Sequence, residues 1–332
     1  MSNMAPWSLF QRRAERAGWF DAEVAIMGTA IRVELWADDA RSGRAAIDAV
    51  LQEMHRIDRA MSPHKADSEL SRINREAAAK PVRLSDEMAT LVGRALEFSR
   101  FTDGAFDITY AAVGQLYDYC RGVRPSVQAL EAARADVGHG LLDFDATAKT
   151  LRFTRPGMRI DLGGFAKGHA VDNAARLLRE RGIAHANVAA GGDSRVIGDR
   201  RGRPWTIGIR DPRHEGAVAA VLPLEDVSIS TSGDYERYFD ADGERFHHLI
   251  DPATGRSPSG LHSVTVLADD GLTSEAMSKA VFVLGIERGL RLVESLRGVD
   301  AVAIDAEGAL HFSQGLSAPA ANQSLKLGAH GR

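Results

Sequence analysis

A chain of 332 residues, 44% of them hydrophobic, is long enough to bury a sizeable core. A formal charge of −4 and a pI near 6.3 leave no basic excess, which argues against bulk nucleic-acid binding. The single cysteine, Cys120, excludes an intrachain disulfide and a Cys-rich metal site, and reads as a small core residue. No segment reaches the roughly 20 apolar residues of a membrane span, and Met1–Gly18 lacks a signal peptide's apolar run. A soluble cytoplasmic protein is expected, with one domain over 21–315 and loosely ordered ends at 1–20 and 316–332.

Taken in order, Val24 to Trp36 reads as a strand interrupted at Gly28, where another backbone or a ligand would approach closely. Ile47, Val50, Leu51, Met54, Ile57 and Met61 recur at helical spacing. Ser68 opens a short helical turn. Ser85 caps a further helix with Met88, Leu91, Val92, Ala95 and Leu96 inside. A strand-like run ending at Ile160 breaks at Gly163-Gly164, and a helix follows that Gly182 ends. Strands are predicted at 184–189, 205–210, 218–223, 227–230, 245–250 and 262–268. Helices are predicted at 273–284 and 287–296, and a hairpin over Val302–Phe312 around Glu307-Gly308. Strands clustered in hairpins between helices favour α+β over a doubly wound parallel sheet.

The most informative segment is His247-His-Leu-Ile-Asp-Pro-Ala-Thr-Gly255. A histidine at a strand edge, held before a rigid Asp-Pro turn, is a positioned proton acceptor; taken alone, the segment reads better as a surface hairpin with incidental histidines. Asp161-Leu-Gly-Gly-Phe-Ala-Lys-Gly-His-Ala-Val-Asp172 suggests a strand-to-helix anion loop, though it is neither a Walker A nor a GxGxxG motif. Lys167 falls in its first helical turn, against the helix dipole, so either an anion neutralises it or it is simply solvated. Gly191-Gly-Asp193 adds a second glycine-rich turn. In Gly104-Ala-Phe-Asp-Ile-Thr109, Phe106 is either a wall for a planar ring or core packing, and Asp107 could accept from the ring's polar edge.

These segments, with Met27-Gly-Thr29, Ser62 to Asn74, Thr231-Ser-Gly-Asp-Tyr235 and Ala280-Val-Phe-Val-Leu-Gly285, resemble in order the FAD:protein FMN transferase (ApbE) family from about Met27 to about Gly285. The resemblance implies a single-domain α+β architecture related to T-folds. It implies that FAD is bound and split at its pyrophosphate, that FMN is joined to a Thr or Ser hydroxyl of an acceptor protein, and that AMP leaves with Mg²⁺ assisting. By motif position, Met27, His64, Ala105, Phe106, Asp107, Asp161, Lys167 and Leu249 would contact FAD. His248 matches the proposed base.

Three positions depart from the family. Its metal ligands, an Asp and a Thr at the start of the late helix with a carbonyl at the place of Gly164, correspond here to Gly164, Glu275 and Lys279. Glu275 is a usable oxygen ligand; a protonated Lys279 is not. Glu275 and Lys279 are then either an ordinary i,i+4 helix pair, or Lys279 places its ammonium where the metal would be. His64 replaces the usual Tyr. A non-catalytic FAD-binding paralogue and an FAD diphosphatase are the alternatives these departures leave open.

Overall fold

The computed structural model describes residues 16–214 and 216–317. Most of the expected loose ends, 1–15 and 318–332, lie outside the described residues. Two parts of those ends are regular structure: a strand begins at Gly18, and Gln314–Ser317 form a helical turn.

An eight-stranded sheet organises the chain. Its order is Gly18–Ile26, Thr29–Ala37, Ala186–Ala190, Asp193–Ile197, Ser228–Gly233, Leu261–Ala268, Asp300–Asp305 and Leu310–Phe312. Every pairing among the described strands is antiparallel, as the hairpin-rich pattern predicts. Three helices, Ala40–Met61, Ala166–Glu180 and Gly271–Glu294, pack side by side on one face. The hairpin of Trp205–Arg210 and Val218–Leu224 covers the other. There Trp205, Ile207 and Leu222 pack on Val196, Ile229 and Leu267, and Ile209 packs on Val302 and Ile304.

The helices follow their local signals. Ser68 and Ser85 accept hydrogen bonds from the amides of Ser71 and Met88, capping Glu69–Glu76 and Asp86–Phe101. Ile47, Val50, Met54, Ile57 and Met61 are buried along one stripe. The late helix changes direction at Gly285, whose φ of 76° only glycine adopts freely, near the predicted gap between 284 and 287.

Several expectations are corrected. Val24–Trp36 is not one strand: Met27 (φ 57°) and Gly28 (φ 70°) form a two-residue turn joining two paired strands. The segment before Gly163-Gly164 pairs with no described strand; Asn74 brackets it, its side chain bonding both the amide and the carbonyl of Ile160. Strands at Val82–Arg83, Leu142–Asp145, Thr150–Phe153, Asp193–Ile197 and Tyr238–Ala241 are additional to those expected. Cys120 is exposed, not a core residue.

Candidate active site

Strand Ser228–Gly233 reads Ser-Ile-Ser-Thr-Ser-Gly, and period-two alternation turns Ser228, Ser230 and Ser232 toward the helices and Ile229 toward the opposite hairpin. Register places Asp193 opposite Ser230 and Arg195 opposite Ser228. The result is a polar stripe on a sheet face that is otherwise apolar. Ser278 of the late helix completes it, bonding the hydroxyls of Ser230 (3.1 Å) and Ser232 (2.9 Å).

Two helices deliver the charged groups. Gly168, in the first turn of Ala166–Glu180, lies against Gly271 at the start of Gly271–Glu294. A Cβ on Gly168 would fall 2.2 Å from the Gly271 carbonyl oxygen, so only glycine permits this approach. That contact brings Glu275 to the first helix. Glu275 is fully buried; its Oε2 accepts from the Gly168 amide at 2.7 Å and its Oε1 from Lys167 Nζ at 2.8 Å and Lys279 Nζ at 3.3 Å. Lys167 also donates to Asp193, which Ser230 bonds in turn. Lys167 is therefore not a free surface lysine, because the chain supplies two buried carboxylates to its ammonium. Burial works against its charge, yet Asp193 and Glu275 outweigh burial and hold its pKa above the ordinary lysine value. Asp193 responds in the opposite sense: burial would raise it, while Lys167 and Lys279 keep it below the usual carboxylate range.

The two histidines of the sequence motif have separate fates. His247 is buried; its Nε2 donates to the Pro258 carbonyl (2.9 Å) and its amide to Ser257 Oγ (2.9 Å), so it ties the strand edge to the following loop. His248 has a buried Nδ1 with no hydrogen-bond partner among the described residues. Its pKa is pushed down to about 3, first by burial and then by nearby groups, Lys279 foremost and His247, Arg237 and Lys167 after it. It is thus a neutral imidazole at physiological pH with a bare ring nitrogen.

Arg237, which the sequence reading did not single out, ties the parts together. Its carbonyl accepts from the His248 amide (3.0 Å), and its guanidinium reaches the early turn, where a Cβ on Gly28 would lie 3.4 Å away. The signal for it was its place two residues beyond the Thr231–Tyr235 motif.

The double-glycine bend joins the Phe106 segment directly, because the Asp161 amide donates to the Ile108 carbonyl at 2.9 Å. The Asp161 carboxylate accepts from the Gly163 amide, and burial raises its pKa despite that bond and nearby His64. Phe106 is a core residue, edge-on to Phe98 and tilted against Phe165. Ala105 is buried beside it. The Asp107 carboxylate is engaged by the amide and hydroxyl of Thr109 and by the amide of His139. Leu249 is buried next to His248, and His64 is exposed. Met27 lines a cavity of about 560 Å³ at the early turn, shared with Thr29, His55 and Lys65. Lys167, Asp193, Glu275 and His248 are not on its wall.

The metal-ligand expectation for Gly164, Glu275 and Lys279 can be tested on the donors themselves. Both oxygens of Glu275 are already taken by three N–H donors, two of them on ammonium groups. Lys279 offers donors and no lone pair, and its side chain runs over Gly164, where a Cβ would stand 3.3 Å from Cε. Mg²⁺ needs converging oxygen ligands in strict octahedral geometry; these residues do not fit it. Among the described residues, no group of three or more His, Cys, Asp or Glu is placed to hold a metal ion. Nor is any described helix long and apolar enough to cross a membrane.

The eight-stranded antiparallel sheet backed by helices on one face is an architecture shared with solved flavin transferases. The ApbE family pattern matches residues 27–303, and the chain belongs to this family. It is 35% identical over 264 residues to the FAD:protein FMN transferase of Vibrio cholerae, covering 77% of this chain and 78% of that protein. It is 32% identical over 310 residues to the FAD:protein FMN transferase of Treponema pallidum, covering 88% and 86%. Among solved structures it resembles the ApbE protein of Thermotoga maritima, with a TM-score of 0.84 at 32% identity over 90% of this chain and 98% of that one. The flavinyl transferase ApbE of Pseudomonas stutzeri gives a TM-score of 0.80 at 29% identity over 91% and 96%.

Proposed function

We propose that this chain is an FAD:protein FMN transferase. The observation that carries the reading is His248: a neutral imidazole with an unpaired buried nitrogen, acted on by Lys279, Arg237 and Lys167. Such an array suits an anionic substrate and a proton to be removed. The acceptor Thr or Ser hydroxyl attacks the FMN phosphorus of FAD; a new O–P ester forms, the P–O–P bond to AMP breaks, and His248 takes the hydroxyl proton. A hydroxyl is a poor nucleophile at neutral pH, so a positioned base contributes about 10²–10⁴ in rate. A pKa of about 3 describes the site without substrate. A diphosphate beside the cations offsets them and raises the imidazole toward a useful basicity.

FAD contact by Met27, His64, Ala105, Phe106, Asp107, Asp161, Lys167 and Leu249 is part of this proposal. For Ala105, Phe106 and Asp107 the contact would run through backbone atoms, since all three side chains are buried and that of Asp107 is also hydrogen-bonded within the chain. A cytoplasmic acceptor also belongs to the proposal; a single cysteine, without a disulfide partner in the chain, suits a reducing compartment.

The test is to incubate the full chain with FAD and a Thr-bearing acceptor protein and read flavin fluorescence on a denaturing gel. Covalent label is expected with wild type and none with His248→Ala that still binds FAD. Equal labelling by both proteins would remove His248 from the role given to it. Release of FMN and AMP at the same rate without acceptor would instead identify a diphosphatase.

A further inference from the structure

The cluster of Lys167, Lys279, Asp193 and Glu275 contains two cations and two carboxylates, but the two lysines are used differently. Lys167 Nζ is held by both carboxylates. Among the described residues Lys279 Nζ makes a single long hydrogen bond, 3.3 Å to Glu275 Oε1, which leaves two of its three donors without an acceptor there. Its aliphatic stem lies along the double-glycine bend, with Cε, Cδ and Cγ 3.3, 3.6 and 3.8 Å from where a Gly164 Cβ would be. A methyl group at 164 would press on the stem and require it to give by a few tenths of an ångström. A surface i,i+4 pair needs none of this: here the acidic partner is wholly buried and also bound by Lys167 and the Gly168 amide.

We propose that Lys279 is a built-in counter-cation, its ammonium binding the diphosphate of the dinucleotide so that diphosphate recognition by this chain needs no divalent metal. The inference rests on the flavin-dinucleotide reading given above and deepens it. A fixed positive charge over Gly164 repels a divalent ion from the same space, while the free N–H donors supply charge-assisted hydrogen bonds to phosphate oxygens. After burial, Lys279 is the foremost charge that lowers the His248 pKa.

The experiment is a titration of FAD into the full-length chain, followed by flavin fluorescence, once in EDTA and once in excess Mg²⁺, with riboflavin as a probe lacking phosphate. The expected FAD Kd agrees within about twofold between the two conditions. Lys279→Met keeps the stem and removes the charge; it should weaken FAD binding roughly tenfold or more, the loss of one or two charged hydrogen bonds, and leave riboflavin binding unchanged. FAD binding by wild type that tightens tenfold or more on adding Mg²⁺ would overturn the proposal without any variant. So would Lys279→Met binding FAD as tightly as wild type. A wild-type chain, folded by circular dichroism, that binds riboflavin and FAD in neither condition would refute the flavin reading itself, and this inference with it.

Discussion

Gly168 and Gly271 hold the two site helices in backbone contact, each occupying the space where the other's Cβ would have to go (2.2 and 2.3 Å from the facing carbonyl oxygens). Glu275 sits one turn beyond Gly271 and reaches Lys167 and Gly168 only because of that closeness. Gly271→Ala should push the helices apart and cost about 1–3 kcal/mol, the range for overpacking a tight contact. Urea unfolding measures it, and an unchanged midpoint would contradict the contact.

Glu275→Ala leaves Lys167 with Asp193 alone and strips Lys279 and the Gly168 amide of their carboxylate. Removing one partner of a buried ion pair costs about 3–5 kcal/mol; the partial exposure of Lys167 favours the lower end. Glu275→Gln keeps an acceptor for the Gly168 amide and should lose less. Thermal unfolding of the three proteins should rank them wild type, Gln, Ala.

His248 makes stability depend on acidity. Its folded pKa of about 3 lies below the ordinary value of 6.5, so the unfolded chain binds a proton that the folded chain refuses. The stability this confers is complete above pH 6.5 and drains away as pH falls toward 3. In His248→Gln the Tm should fall less steeply than in wild type across that window. Parallel curves would show that the imidazole is not shielded as described.

Asp172 has the opposite sign. Burial pushes its carboxyl up to about 6, although the Gly271 amide bonds it at 2.7 Å. A raised carboxyl favours the folded state while protonated, and that advantage disappears as pH rises from 3.8 to about 6. Asp172→Asn can still accept from the Gly271 amide. Its Tm relative to wild type should climb through that interval and level off above it; a constant offset would disprove the assignment.

Much of the helical architecture was legible because its signals are local. Ser68 and Ser85 cap where their spacing to the next apolar residues says, and Gly285 breaks the late helix where the periodicity falters. The first hairpin was misread because Met27-Gly28 carries a weaker turn signature than Asn-Gly, although Met27 takes the same left-handed conformation. Inside the site the sequence was harder to read. The alternation Ser228-Ile-Ser-Thr-Ser232 resembles a strand with a solvated face, yet those serines are buried under Ser278, a long-range pairing with no local trace. Phe106 illustrates the reverse: an aromatic beside a glycine turn suits a ligand wall as well as a core, and only the packing on Phe98 and Phe165 decides.

Cys120 is the chain's one sulfhydryl, and it is exposed. The neighbouring Gly122 faces the ring of Phe239, on the strand paired with the one that ends at His247. A maleimide dye attached there would be singly placed without mutagenesis, beside the hairpin that leads into the candidate base. Energy transfer between such a dye and the isoalloxazine could then follow each turnover in real time.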